Sequence, residues 1–162
     1  MLKLPSEIWL AGKGPSLDTY DWSQANSIKI GINEAILKIP NGWGVFAVDY
    51  MVWECLTKEM SKNILAFIKN KTYAVQFPLE YRWKIEDSKP GFGTAAHAIM
   101  ILSTLGVEKI HFVGFDSFNG GSHKYAQSLQ DRPFRNNDKY AAMNRYIREA
   151  LRLTKIEAVW EC

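Results

Sequence analysis

Glu7-Ile8-Trp9-Leu10-Ala11-Gly12-Lys13-Gly14-Pro15-Ser16-Leu17, residues 7–17, is the stretch that decides how the chain reads. Ile8 to Ala11 is an unbroken apolar run, and it stops at a Gly-Lys-Gly-Pro-Ser turn. A strand buried on both faces reads as such a run rather than as an alternation, because neither side of it meets water. Gly12 and Gly14 would let the backbone approach a ligand closely, and Ser16 offers a hydroxyl. A helix starting here would aim N–H groups at a phosphate. The competing reading is a tight strand-to-helix turn with Asp18 as the helix cap. This is not a Walker A loop, since no Lys-Ser/Thr pair follows the second glycine, and Leu17 replaces the third glycine of G-x-G-x-x-G.

The same kind of run recurs outward from that stretch. Residues 27–32 (SIKIGI), 44–48 (GVFAV), 109–113 (KIHFV) and 155–160 (KIEAVW) read as further strands. Residues 94–105 (TAAHAIMILSTL) read as a largely buried helix closed by Gly106. Residues 138–153 read as an amphipathic helix, with Ala142, Tyr146, Ile147, Ala150 and Leu151 along one side. Residues 63–75 are ambiguous between helix and strand. Strands alternating with helices imply an α/β fold, Rossmann-like, with a mainly parallel central sheet of about five or six strands and helices on both faces. The whole chain, 1–162, is expected to form a single nucleotide-binding domain. Residues 76–92 and 115–137 resist the pattern and are expected to be ligand-face loops or a lid. The site is expected across the C-terminal ends of the first, second, third and penultimate strands.

Composition narrows the function classes. The 162 residues are 47% hydrophobic, which excludes a disordered chain. Twenty Lys+Arg against 17 Asp+Glu give a formal net charge of +3, and the basic residues are scattered among acids. A nucleic-acid binder would gather them into a patch, so no nucleic-acid partner is expected. A sequence pI near 8.8 favours an anionic small molecule. Cys55 and Cys162 have no metal-ligand spacing and make no disulfide framework. The first residues lack the pattern of a signal peptide and no apolar stretch could span a bilayer, so a cytoplasmic location is the expectation.

Four further places could carry chemistry. Asn33, after the second strand, has an amide able to donate and accept toward a base or ribose, or it caps the next helix. Asp49, after the third, could hold ribose hydroxyls, a metal or a proton, or be a cap. Gly93 and Thr94 open the buried helix, a natural anion site. The densest polar run is Gly114-Phe115-Asp116-Ser117-Phe118-Asn119-Gly120-Gly121-Ser122-His123-Lys124-Tyr125. His123 sits there in a loop and is the leading base candidate. His97, on an Ala-rich helix, and His111, inside a strand, read as structural.

Together IWLAGKGPSLDTYDW, IGINEAI and GTAAHAIMILSTLGVEKIHFVGFDSFNGGSHKYA resemble the small bacterial lipooligosaccharide sialyltransferases, which use a CMP-activated sugar. They also resemble the related group of motility accessory factors and archaeal-type hydroxymethylpterin pyrophosphokinases. The resemblance implies a Rossmann-like nucleotide-binding domain and, as activity, transfer of a group from a nucleotide-activated donor to an acceptor hydroxyl. It implies that Gly12, Gly14, Pro15 and Ser16 form the phosphate loop, with Lys13 where the sialyltransferases usually have Asn. It implies that Asn33, Asp49, Gly93, Thr94 and Tyr125 line the nucleotide, and that Asp116 is the Asp of the G-x-D element. The catalytic pair is then His123 and Asp116. The pyrophosphokinase alternative implies Mg2+ or Mn2+ at Asp49 and Asp116; otherwise no cofactor is implied. The sialyltransferases carry a general-base histidine in the lid, whereas here no histidine follows His123, so a non-catalytic nucleotide-binding or sequestering module is the third alternative. Residues 90–94 superficially resemble the loop of cytokinin-activating phosphoribohydrolases, but Ala96 and His97 stand where their catalytic Glu would be.

Overall fold

The computed structural model describes residues 3–47, 52, 55–56, 65–68, 80–82, 93–121, 124–129 and 137–161. Their strands are β1 (Glu7–Ala11), β2 (Lys29–Ile32), β3 (Gly44–Ala47), β4 (Leu65–Ile68), β5 (Glu80–Arg82), β6 (Lys109–Val113) and β7 (Glu157–Trp160). All seven lie in one sheet in the order β5-β4-β3-β2-β1-β6-β7. Every neighbouring pair is parallel. The expected α/β class therefore holds, with seven strands rather than five or six. The ambiguous 63–75 segment contributes β4, and the expected loop 76–92 contributes the short edge strand β5.

Side-chain alternation sends successive residues to opposite faces, and both faces are covered. On one face Ile8, Leu10, Ile30, Phe46, Ile110 and Phe112 pack under α2 (Thr94–Thr104) and α3 (Asn137–Thr154). Phe112 is fully buried, a contribution of about 1.5–3 kcal/mol for one such side chain. On the other face Ala11, Val45 and Ala47 meet Leu17 of α1 (Ser16–Thr19), Ile36 of the 3-10 turn Asn33–Lys38, and Leu129 of the 3-10 turn Gln127–Leu129. Because α2 is wedged between sheet and α3, most of its circumference is apolar. Gly106, at φ +95°, ends it: the Gly106 N–H donates to Ser103 O and the Val107 N–H to Leu102 O. This is the left-handed termination expected of a glycine one residue past the helix.

Strands β1, β6 and β7 are also joined by side chains. Trp9 and His111 stack with centroids 4.1 Å apart and planes 6° from parallel. His111 Nδ1 lies 2.6 Å from Glu161 and Nε2 lies 2.5 Å from Glu7, so His111 is structural, as its place in a strand suggests. The bond to His111 holds the Glu7 carboxyl below its ordinary 4.5; removal from water opposes this, and Lys109 reinforces it. A carboxylate whose value is lower in the folded state adds stability above its unfolded value. That stability is lost as the pH falls through the folded value. The stability gap between wild type and Glu7→Gln is therefore expected to be full above 4.5 and to close on further acidification. Urea titrations at a series of pH values check this; a gap that widens toward acid would refute it.

Candidate functional site

The chain leaves β1 for β2 on one side of it and returns to β6 on the other. The C-terminal ends of β1 and β6 are thus the point where strand order reverses, the place where open α/β sheets form their ligand crevice. The two loops that leave these ends are locked together. Gly12 N–H donates to Val113 O at 2.7 Å and Gly14 N–H to Gly114 O at 2.8 Å. A side-chain carbon on Gly12 or on Gly14 would stand 2.7 Å from Gly114 O. Gly114 itself turns at φ +75°. These glycines let two backbones touch.

Asp116 completes the lock. Its two carboxylate oxygens each lie 3.2 Å from the Ser16 N–H, and Oδ2 also accepts from Ser16 Oγ at 2.9 Å. Ser16 Oγ in turn accepts from the Gly114 N–H at 2.8 Å. The negative charge at the start of α1 is therefore the protein's own. These contacts bear on two of the site residues singled out in the sequence. The N–H groups of Gly12, Gly14 and Ser16 are turned to the protein acceptors Val113 O, Gly114 O and the Asp116 carboxylate, and Pro15 has no N–H to offer. Asp116 lines the pocket while its carboxylate is hydrogen-bonded to Ser16.

Above the lock lies a pocket of about 780 Å³, measured out to its open mouth. Gly12, Lys13 and Gly14 supply one wall, and Ile32 and Asn33 the end of β2. Gly93, Thr94 and Ala95, at the first turn of α2, supply another, so the positive end of that helix faces the cavity. Asp116, Lys124 and Tyr125 come from the chain after β6. Pro15 and Ser16 are not among the lining residues. Asp49 and His123 lie outside the described residues, as do residues 90–92; Lys124, next to His123 in sequence, lines the pocket. Within the 115–137 segment, the Ala126 N–H donates to Lys13 O at 2.7 Å. Asp18 does not cap α1: its carboxylate accepts from the N–H of Ser128 at 2.9 Å and from its hydroxyl.

Two pocket residues have unusual surroundings. Lys13 Nζ is 2.9 Å from Glu34 Oε2 and 4.3 Å from the centroid of the Tyr125 ring. The side chains are 15% and 6% exposed for Lys13 and Glu34, so this is a partly buried ion pair. Asn33 is buried and sits at φ +53°, a left-handed conformation that Asn tolerates better than most residues. It therefore starts the 3-10 turn instead of capping it. Among the described residues its Oδ1 has no hydrogen-bond partner.

The helix wall was missed from sequence. Met143, Asn144 and Ile147 of α3 face the cavity, and Asn144 Nδ2 donates to Ser117 O at 3.0 Å. Their spacing on an amphipathic helix reads as core; an Asn one turn from Ile147 was the available signal. Of the two carboxylates that the pyrophosphokinase alternative assigns to a divalent ion, Asp49 lies outside the described residues. Asp116 is turned to Ser16, and among the described residues no group of three His, Cys, Asp or Glu could hold a metal.

No protein-family model matches the chain, and no curated protein matches its sequence. Two solved structures match its fold. One is the sialyltransferase CST-II in complex with a trisaccharide acceptor and CMP: 15% identity, TM-score 0.56, covering 96% of this chain and 81% of that one. The other is the sialyltransferase CstII from Campylobacter jejuni in complex with a substrate analogue, cytidine-5'-monophosphate: 15% identity, TM-score 0.59, covering 99% of this chain and 81% of that one. At this identity the likeness is one of fold: the chain is built on the same α/β architecture as these sialyltransferases.

Proposed function

We propose that this protein binds a nucleotide-activated sugar, of the CMP-sugar kind, and transfers the glycosyl group to an acceptor hydroxyl. The observation that carries the reading is the convergence of Gly12, Lys13, Gly14, Asn33, Gly93, Thr94, Asp116 and Tyr125, all singled out in the sequence, on one pocket at the strand-order reversal. The fold match to CMP-bound sialyltransferases points the same way. In this reading the C–O bond between sugar and phosphate breaks and CMP leaves with the electron pair. The α2 N-terminus and Lys13 offset its charge. The acceptor hydroxyl forms the new bond and gives its proton to a base, the role we assign to His123. The nucleotide and nucleotide-sugar are the partners in this scheme, and the pocket needs no nucleic acid.

A second reading, a nucleotide-binding module without turnover, is favoured by one feature. Among the described pocket residues the only carboxylate is that of Asp116, and it is held by Ser16. Thermal denaturation with CMP and other nucleotides, with and without Mg2+ or Mn2+, tests what both readings share. At about 100 times its dissociation constant a ligand stabilises a fold by about 2.7 kcal/mol, here an expected rise of about 5–10 °C. No shift with any nucleotide would overturn both readings. If CMP binds, release of CMP from a CMP-sugar separates them: turnover lost in His123→Ala supports transfer with His123 as base. Donor recovered intact across acceptors supports the module.

A further inference from the structure

The wall that follows β1 carries its positive charge on a side chain. The N–H groups of Gly12, Gly14 and Ser16 are engaged by Val113, Gly114 and Asp116. Lys13 lines the cavity, while its counter-ion Glu34 is not among the lining residues and is 6% exposed. An ammonium has three donors, and the Glu34 contact uses one. Beside this pair Asn33 lines the same cavity, and its buried Oδ1 has no donor among the described residues. An acceptor left in that state calls for an O–H or N–H from a ligand.

Resting on the nucleotide reading, we infer that Lys13 is the residue that selects a phosphorylated ligand over its unphosphorylated counterpart, with Glu34 as a resident anion that competes with the phosphate for Lys13 Nζ. The ligand class that satisfies both groups carries a phosphate and, within the same pocket, a hydroxyl or amine donor for Asn33. Glu34 has two opposing effects. It keeps the unliganded Lys13 from being a lone buried charge, and its like charge weakens the incoming phosphate. Affinity for phosphate is thereby held below what Lys13 alone would give.

Calorimetric titration with CMP, cytidine and inorganic pyrophosphate tests this on wild type, Lys13→Met, Glu34→Gln and the double variant Lys13→Met/Glu34→Gln. A charged hydrogen bond is worth about 10- to 100-fold in affinity, so wild type is expected to prefer CMP to cytidine by that factor. Lys13→Met should remove most of that preference and leave cytidine unchanged. Glu34→Gln should tighten CMP several-fold and again leave cytidine unchanged. The double variant contains no lone buried charge and reports on Lys13 even if Lys13→Met fails to fold. A folded double variant that keeps the wild-type ratio of CMP to cytidine affinity overturns the inference. If wild type binds neither CMP nor cytidine, the nucleotide reading fails, and pyrophosphate decides the role of Lys13 by itself. Pyrophosphate binding lost in the double variant sustains that role; pyrophosphate binding that is absent or unchanged overturns it.

Discussion

Replacing Gly14 with alanine is expected to unfold the protein about 6–12 °C earlier and to abolish nucleotide binding. The added carbon would stand 2.7 Å from Gly114 O and 3.0 Å from Gly114 C, and closer still to Asp116 Oδ2. None of these atoms can retreat cheaply. Gly114 O accepts from Gly14 N–H, Gly114 N–H donates to Ser16 Oγ, and Asp116 holds Ser16. Forcing extra volume into packed surroundings costs about 1–3 kcal/mol, and a rigid backbone neighbour puts this site near 3. For a chain of this size each kcal/mol moves the midpoint by about 2–4 °C. Gly12→Ala meets the same carbonyl at 2.7 Å. Once the first substitution has pushed the β6 loop away, the second finds it displaced, so the two costs should add to less than their sum. Full additivity in thermal melts of the singles and the double would show that the loops do not move as one.

That result would explain what the Gly-Lys-Gly-Pro-Ser motif meant. The sequence marked this turn for its glycines, and the structure shows a second backbone lying against them. Glycines after a parallel strand announce a close backbone approach, but a single stretch does not say what approaches; here the partner is Gly114, about a hundred positions away. The strands were legible where burial on both faces leaves an unbroken apolar run, as in β1 and β3. Strand β5 was not, because Glu80-Tyr81-Arg82 has the polar character of a sheet edge and no apolar run. Strand β4 is four residues long, too few to separate period 2 from period 3.6. The pocket was legible on its loop side, where Gly12, Asn33, Thr94 and Tyr125 are the types that meet ligands. It was illegible on the α3 side, where Met143 and Ile147 look the same whether they face a core or a cavity. The Lys13–Glu34 pair joins positions 13 and 34 across two loops, a pairing that no local spacing encodes.

Asp116→Ala is expected to cost about 2–3 kcal/mol, a fall of about 4–12 °C in the midpoint, whereas Asp116→Asn should cost about 1 kcal/mol. Alanine removes the acceptor of both the Ser16 N–H and the Ser16 hydroxyl, groups that sit half-buried at the first residue of α1. Asparagine keeps one oxygen in that place and loses only the charge and one acceptor. Ser16→Ala breaks the same lock from the other side, leaving the Gly114 N–H without its acceptor. The two alanine variants therefore remove overlapping interactions, and the double should be less destabilised than the sum. Urea denaturation of the four proteins checks the cycle. The same variants decide what Asp116 does in the pocket. A carboxylate that took a proton during the reaction would be lost fully in Asp116→Asn, with stability and nucleotide affinity near wild type. A carboxylate that positions the loop lets Asp116→Asn retain most of both binding and turnover, and Asp116→Ala lose them together with the fold. The contacts to Ser16 favour the second outcome, because the Asp116 oxygens are within hydrogen-bond reach of that residue before any ligand arrives.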